Sequence, residues 1–365
     1  MLKNTTSSCY YNNMNNPYSE NIINWYLQNK RDLPWRNTSN PYHIWISEII
    51  LQQTRVAQGL EYYLRFIKRF PNVQTLAAAE EDEVLKYWQG LGYYSRARNL
   101  HKAAKKIMTD FKGIFPDNYE DILRLNGVGE YTAAAIASFS YNLPYSTVDG
   151  NVYRILSRLF GIKTPVDSNQ GKKEFFQLAQ DLLWAENPGL HNQAMMEFGA
   201  LCCVPTSPDC HQCPLQAMCW AYEEQEVDKL PVKKAKTKVS NRYYNYLYIK
   251  YNDLTFLEKR TQKDVWQNLY QFPLIEADKL FETEELLENK EFGNLFDSIR
   301  KVEIEQVSNP VKHVLSHRNI FALFFTINIT NTNDLLRNNY TLLPIKDIDQ
   351  YPVSRLMELF LNKEI

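Results

Sequence analysis

Between Leu125 and Asn151 the chain reads LNGVGEYTAAAIASFSYNLPYSTVDGN, and few folds accommodate such a run. Asn126, Gly127 and Gly129 bracket a turn that small or left-handed-tolerant residues make at low cost, and TAAAIASF behind it is strongly helix-forming. The stretch predicts a helix end, a tight turn, a second helix, a loop, and a new helix entered through Asp149, Gly150 and Asn151 into the amphipathic NVYRILSRLF. A glycine hairpin between helices aims backbone N–H groups and a helix N-terminus outward, an arrangement that holds a phosphate without any basic side chain. Taken alone, Asp149 reads as an N-cap. The pairing of hairpin and aspartate points to more.

A chain of 365 residues is long enough for two domains with separate cores. Its formal net charge of -1 excludes a global basic field, so any affinity for nucleic acid must come from local patches and backbone donors. No charged start leads into an apolar segment, and no apolar run reaches about 18 residues, so neither secretion nor membrane spanning is supported. The expectation is a cytosolic, monomeric protein with no membrane partner.

Of six cysteines, Cys9 stands alone and the others crowd between Cys202 and Cys219, which suits a metal site better than a disulfide framework. Cys203, Cys210, Cys213 and Cys219 give C-x6-C-x2-C-x5-C, with Pro214 after the third; Cys202 is surplus and reads as a small buried hydrophobe. Zinc sites usually show two C-x2-C pairs, and one is present here. Zinc therefore stands second to an iron–sulfur group, although spacing alone says no more than metal.

Residues 1–16 are rich in Asn, Ser and Thr without apolar periodicity and are expected to be a disordered tail. Residues 17–222 read as helical throughout. In YHIWISEIILQQTRVAQGLEYYLRFIKRF, Trp45, Ile46, Ile49, Val56, Leu60, Tyr63, Leu64 and Ile67 fall on one helical face, with Glu48 on its flank and Gln52 about a turn further on. Further along, Gly90, Leu91 and Gly92 join two helical patterns, with Tyr93, Tyr94, Arg96 and Arg98 expected in the first turns of the second. Cations there oppose the helix dipole, a cost that a nearby phosphate would offset. Residues 223–240 change from acidic to basic and read as a linker. From residue 241 to 365 alternating patterns such as RYYNYLYIKY and NIFALFFTINIT predict strands around a shorter helix, a separate α+β domain.

L-x-G-V-G-x-Y-T-A followed by V-D-G-N-V resembles the helix-hairpin-helix glycosylases, and specifically the MutY-type adenine DNA glycosylases. The resemblance extends through SEIILQQT, GLGYYSRARNL and the cysteine spacing, and more weakly, through VWQNLYQFP, to that family's Nudix-like C-terminal domain. It implies a multidomain protein: an all-α helix-hairpin-helix glycosylase domain with an iron–sulfur cluster loop, plus an α+β Nudix-like domain. It implies a base-excision repair enzyme that flips adenine out of double-stranded DNA, opposite 8-oxoguanine or guanine, and hydrolyses its N-glycosidic bond. Glu48 and Asp149 take the catalytic places, with Tyr131 and Asn151 as positioners. Gln52, Gln53, Tyr93, Arg96, Arg98, Gly127 and Gly129 are implied on DNA, with Tyr93 and Gln53 as wedges in the base stack. Cys203, Cys210, Cys213 and Cys219 are implied as ligands of a [4Fe-4S] cluster.

Leu315, Ser316 and His317 align with the loop that contacts 8-oxoguanine, Leu replacing the usual Phe while Ser316 and His317 keep hydrogen-bonding groups. The Nudix hydrolase carboxylate signature is missing, which points to a recognition domain. The rival on the same fold is an endonuclease III type glycosylase and lyase, but the position where it needs a Schiff-base lysine holds Tyr131. A non-catalytic DNA-binding module is the alternative from another class.

Chemistry calls for two carboxylates with opposed tasks: a protonated one to deliver a proton to the base, and an ionised one near the sugar cation. The apolar flank of Glu48 would raise its pKa, whereas helix N–H donation would keep Asp149 charged.

Overall fold

The computed structural model describes residues 17–234, 239–315 and 317–364; the expected tail and Ser316 lie outside the described residues. The helical part runs α1 (Pro17–Asn29), α2 (Pro41–Leu51), α3 (Val56–Arg69), α4 (Val73–Ala78), α5 (Glu81–Trp88), α6 (Ser95–Asp110), α7 (Tyr119–Leu123), α8 (Glu130–Tyr141), α9 (Gly150–Phe160), α10 (Asn169–Asp181), α11 (Pro188–Leu201) and the short α12 (Trp220–Glu223). Then follow β1 (Ser240–Tyr251), β2 (Leu254–Lys259), β3 (Tyr270–Gln271), β4 (Leu274–Ala277), α13 (Thr283–Glu288), α14 (Lys290–Leu295), β5 (Val302–Val307), β6 (Val311–Leu315), β7 (Arg318–Ile329), α15 (Asp334–Asn339), β8 (Thr341–Pro344) and α16 (Arg355–Glu364). Among the described residues no helix is long and apolar enough to cross a membrane.

The described residues form two compact units, 17–77 with 102–234, and 78–101 with 239–364. In the first, α2 is buried without interruption from Ile44 to Ile50 and α8 from Thr132 to Ser138. A helix that is apolar all round is a core helix, and the alanines of α8 let its neighbours approach closely. The expected continuous helix through Glu48 and Arg55 is broken: Gln52 caps α2, and Gln53 takes a left-handed backbone with φ 57°. The break resets the phase, so α3 turns Tyr63 and Phe66 inward while Leu64, expected on the buried face, is 52% exposed. A second core gathers Tyr18, Ile22 and Tyr26 of α1, Ile155 and Leu156 of α9, Phe175 of α10 and Phe198 of α11, with Cys203, Cys213 and Cys219 packed on its edge.

The expected linker is tied down as far as Lys234. Arg158 donates to the carbonyls of Val227 and Leu230 at 3.0 and 3.2 Å, Val166 N–H reaches Val232 O at 3.0 Å, and Lys234 N–H reaches the Asp167 carboxylate at 3.0 Å.

In the second unit β1 runs parallel to β7 from Ser240 beside Arg318 to Lys250 beside Asn328, and the order β3-β2-β1-β7-β5 is extended by β4 on β1, β6 on β7 and β8 on β2. Alternation sorts β1 between two faces. Leu247 and Ile249 join Phe256, Phe292 and Phe325 in one core, while Tyr246 stacks on Phe324 at 4.9 Å and Phe324 on Phe360 of α16 at 4.2 Å. The grouping of residues 78–101 with this sheet has identifiable bonds: Lys259 pairs with Asp82 at 2.6 Å, Tyr270 OH donates to Asp82 at 3.0 Å, and Tyr94 OH to Val353 O at 3.2 Å.

Candidate active site and cysteine loop

The 3.6-residue period places Glu48 on the inner side of α2, and the hairpin delivers Tyr131 to the first turn of α8. Gly127 makes the turn with φ 75°, a conformation that only glycine adopts cheaply. Gly129 is extended with nothing within 4 Å of where a Cβ would stand, so the hairpin's outer side is open backbone at the N-terminus of a twelve-residue helix. Asp149 caps α9 as its sequence suggests, its Oδ1 accepting from Asn151 N–H at 2.9 Å and Val152 N–H at 2.8 Å. Its Oδ2 accepts from the Asn151 side chain at 2.8 Å, and Arg154 in turn donates to Asn151 Oδ1 at 2.9 Å and to Cys203 O at 2.7 Å. A Cβ on Gly199 of α11 would lie 2.6 Å from Asn151 Cβ, so a glycine there is what permits the two helices to close on the cap.

One cavity of about 400 Å³ is lined by Glu48, Gln52, Gln53, Tyr131, Asp149 and Asn151 together. That size suits a small organic ligand such as a nucleobase. Tyr131 OH donates to Glu48 Oε2 at 3.0 Å. Burial lifts the Glu48 carboxyl to about 7; the Tyr131 hydrogen bond opposes the shift, the Asp149 charge adds to it, and Arg36 opposes it. Burial also raises Asp149, against the pull of the Val152 and Asn151 donors. Burial, together with the Glu48 and Asp149 charges, keeps Tyr131 neutral, well above the ordinary phenol value.

The cavity also contains residues not foreseen from the sequence. Glu197 of α11 accepts from Arg31 Nε at 2.9 Å and Nη2 at 2.5 Å, and from Arg36 Nη1 at 2.8 Å and Nη2 at 2.6 Å. Burial would raise its carboxyl, but these donors outweigh it and hold the group near 2. A signal for it existed: Glu197 is the lone charge in QAMMEFGALC, and a charge inside an apolar helix demands a partner.

The hairpin residues Gly127 and Gly129 do not line the cavity. Tyr93 lies outside the helix expected to contain it, in the turn before α6, with φ 48° and half of its surface exposed. Arg96 and Arg98, expected to face phosphate, are buried and used internally: Arg96 donates to Gly92 O at 3.1 Å and Arg98 to Gln267 O at 2.7 Å. The main-chain carbonyls answer the dipole cost that a phosphate was expected to offset. His317 is exposed beside the β6–β7 turn, and its carbonyl accepts from Ser240 N–H at 3.2 Å.

Cys203, Cys210, Cys213 and Cys219 line one small cavity, and Cys202 lines it too. Cys202, read from the sequence as a small buried hydrophobe, packs against the edge of the second helical core as well. It is half-buried, its thiol hydrogen-bonds to Cys213, and that bond lowers the Cys213 thiol. Arg158 of α9 holds the loop, donating to Val204 O at 2.8 Å and Pro205 O at 3.0 Å with Cys203 Sγ at 3.4 Å. Among the described residues no group of His, Cys, Asp or Glu side chains converges closely enough to hold a single metal ion. Several thiols around one space, with a guanidinium beside them, are a donor set that fits a thiolate-bound cluster.

This fold and site define a class, and residues 46–183 match the HhH-GPD superfamily of base excision DNA repair proteins, with residues 245–363 matching a NUDIX domain. A solved thermostable thymine-DNA glycosylase superposes with a TM-score of 0.53 at 30% identity, covering 57% of this chain and 95% of that one. The adenine DNA glycosylase of Buchnera aphidicola subsp. Acyrthosiphon pisum (strain APS) is 36% identical over 82% of this chain and 83% of its own length. That of Buchnera aphidicola subsp. Schizaphis graminum (strain Sg) is 35% identical over 94% and 98%. The chain belongs to the adenine DNA glycosylase family.

Proposed function

We propose that this chain removes adenine from double-stranded DNA in base excision repair, acting on adenine opposite 8-oxoguanine or guanine by hydrolysis of the N-glycosidic bond. The observation that carries the reading is Glu48 held near 7 in the cavity that Asp149 also lines. The adenine flips out of the stack into this space. Glu48, protonated at neutral pH in a good fraction of molecules, gives its proton to the departing base, and its carboxylate then takes a proton from water. Asp149, each oxygen occupied by hydrogen bonds from its own helix end, faces the sugar cation or traps it covalently. Tyr131 aims Glu48, and Asn151 aims Asp149.

The open backbone at Gly127 and Gly129 receives a phosphate. Gln53 and Tyr93, both exposed on left-handed turns, are the wedges; Gln52 stays at the cavity wall. His317 and Ser316 read the 8-oxoguanine. Arg96 braces the turn behind Tyr93 through Gly92 O and Arg98 is committed to Gln267 O, so neither is assigned a DNA contact in this reading. Cys203, Cys210, Cys213 and Cys219 would hold a [4Fe-4S] cluster, since a cluster of several irons needs its thiols spread around it. Bound there, it supplies a rigid cross-link for the loop that Arg158 anchors. Of a bacterial type like its Buchnera relatives, the protein would meet its DNA in the cytosol.

The test is single-turnover base release from a duplex with one 8-oxoguanine:adenine pair, each time point split into alkali-treated and untreated halves. Breaks after alkali alone are expected. Breaks without alkali would favour a lyase, and no release would leave a DNA-binding module.

A further inference from the structure

The segment between α8 and α9, residues 142–149, has no regular secondary structure, yet it must present Asp149 to the cavity. Two side-chain amides grip it from either edge. Gln180 of α10 donates to Pro144 O at 2.9 Å and accepts from Ser146 N–H at 3.0 Å. Asn192 of α11 donates to Tyr145 O at 2.8 Å and accepts from Thr147 N–H at 3.1 Å, its amide nitrogen also reaching Ser138 Oγ at 3.0 Å.

Each amide thus meets the carbonyl of one residue and the N–H of the residue two further on. That is the pattern a residue of a neighbouring parallel strand makes in a sheet. Because extended chain alternates the direction of its peptide groups, Gln180 serves one edge and Asn192 the other. The segment is thus bonded on both sides with no strand beside it, while Tyr145 N–H closes a tight turn onto Leu143 O at 2.8 Å. Ser146, Thr147 and Asn192 are buried, so these groups have no water to fall back on. Asp149 follows two residues after Thr147, and its own side chain is committed to the first turn of α9.

We propose that Gln180 and Asn192 are positioning residues for Asp149: a primary amide on each side holds the course of residues 144–147 and so fixes where the cap of α9 presents its carboxylate. The inference rests on the reading of Asp149 as the group facing the sugar cation. A cation and a carboxylate in contact are sensitive to displacement, and a shift of about 1 Å costs up to about 10²-fold in rate.

Gln180→Leu and Asn192→Leu each remove both hydrogen bonds to the segment at similar volume, Asn192→Leu also losing the bond to Ser138 Oγ. Gln180 is half-buried, so its variant is expected to fold even if the fully buried Asn192 variant does not. Expected in single turnover on the 8-oxoguanine:adenine duplex is a loss of about 10-fold for Gln180→Leu and about 10²-fold for Asn192→Leu, with duplex affinity within about 2-fold of wild type. The same substitutions are then placed on Asp149→Asn. If they act through Asp149, neither lowers the residual rate further by more than about 2-fold, whereas a general structural defect lowers it in full. Full additivity, or a wild-type rate in Gln180→Leu, overturns the proposal. Amide exchange reads the grip without any reaction: Ser146 exchanges faster in Gln180→Leu and Thr147 in Asn192→Leu. Unchanged exchange overturns it, while absence of adenine release from wild type, with exchange as expected, would strike the proposed function alone.

Discussion

Two glutamates line the same cavity, both buried, and the protein drives them in opposite directions. Glu48 on α2 meets one hydroxyl donor and rises to about 7; Glu197 on α11 meets two guanidinium groups and falls to about 2. Burial penalises the charge of both. What separates them is what faces each carboxyl, one neutral hydroxyl at Glu48 against two cationic guanidinium groups at Glu197. One wall of the cavity thus holds a carboxyl that keeps its proton up to about pH 7, while the other holds a fixed ionic frame.

The strongest way to break the comparison is Glu48→Gln. It is expected to cut single-turnover adenine release by about 10³-fold while leaving duplex binding intact, and a rate near wild type would remove Glu48 from the acid role. The same variant has a stability signature. Because the folded pKa lies above the ordinary carboxylate value, the folded state binds the extra proton between about pH 4.5 and 7, and stability falls as pH rises through that window. Glu48→Gln should therefore be roughly 3 kcal/mol more stable than wild type at pH 8, the gain vanishing near pH 4 in urea titrations.

Glu197→Gln should act in the reverse sense. Stranding Arg31 and Arg36 without their carboxylate is expected to cost about 3 kcal/mol in urea unfolding at pH 7. The depressed Glu197 contributes stability fully present above about pH 4.5 and lost as pH falls toward 2, so the deficit of the variant should shrink over that interval. A deficit independent of acid would mean that the ion pairs are not its source.

Smaller changes sharpen the contrast. Tyr131→Phe removes a donor to the ionised form of Glu48, and the alkaline limb of the pH–rate profile should move up by up to about one unit. Arg36→Met weakens a minor influence on Glu48 and should move that limb by a few tenths of a unit in the same direction. A downward shift in either would contradict the assignment of causes.

The hairpin, the cap at Asp149 and the strand alternation after residue 240 were legible because each depends on local chemistry: a left-handed glycine, a side-chain acceptor at a helix start, a period of two. The break at Gln52–Arg55 was not, since it contains neither glycine nor proline and the surrounding fold imposes it. The attachment of residues 78–101 to the sheet was hidden for another reason. It depends on Asp82, Tyr94 and Arg98 meeting partners more than 150 residues away, and periodicity carries no information at that range. Arg96 and Arg98 looked like surface cations because composition does not reveal a carbonyl waiting to be bonded. Glu197 was visible in principle, but its meaning came from two arginines in a distant loop.

Gln53 and Tyr93 have a consequence for how this protein could be altered. Each has its side chain on a backbone that glycine or asparagine would occupy more comfortably, at a cost of the order of 1 kcal/mol. A selection for heat resistance alone would drift toward glycine at both places and be rewarded for it. The thermally improved protein would then have lost the two side chains proposed to enter the base stack, so at these positions robustness and search for damage are in direct competition.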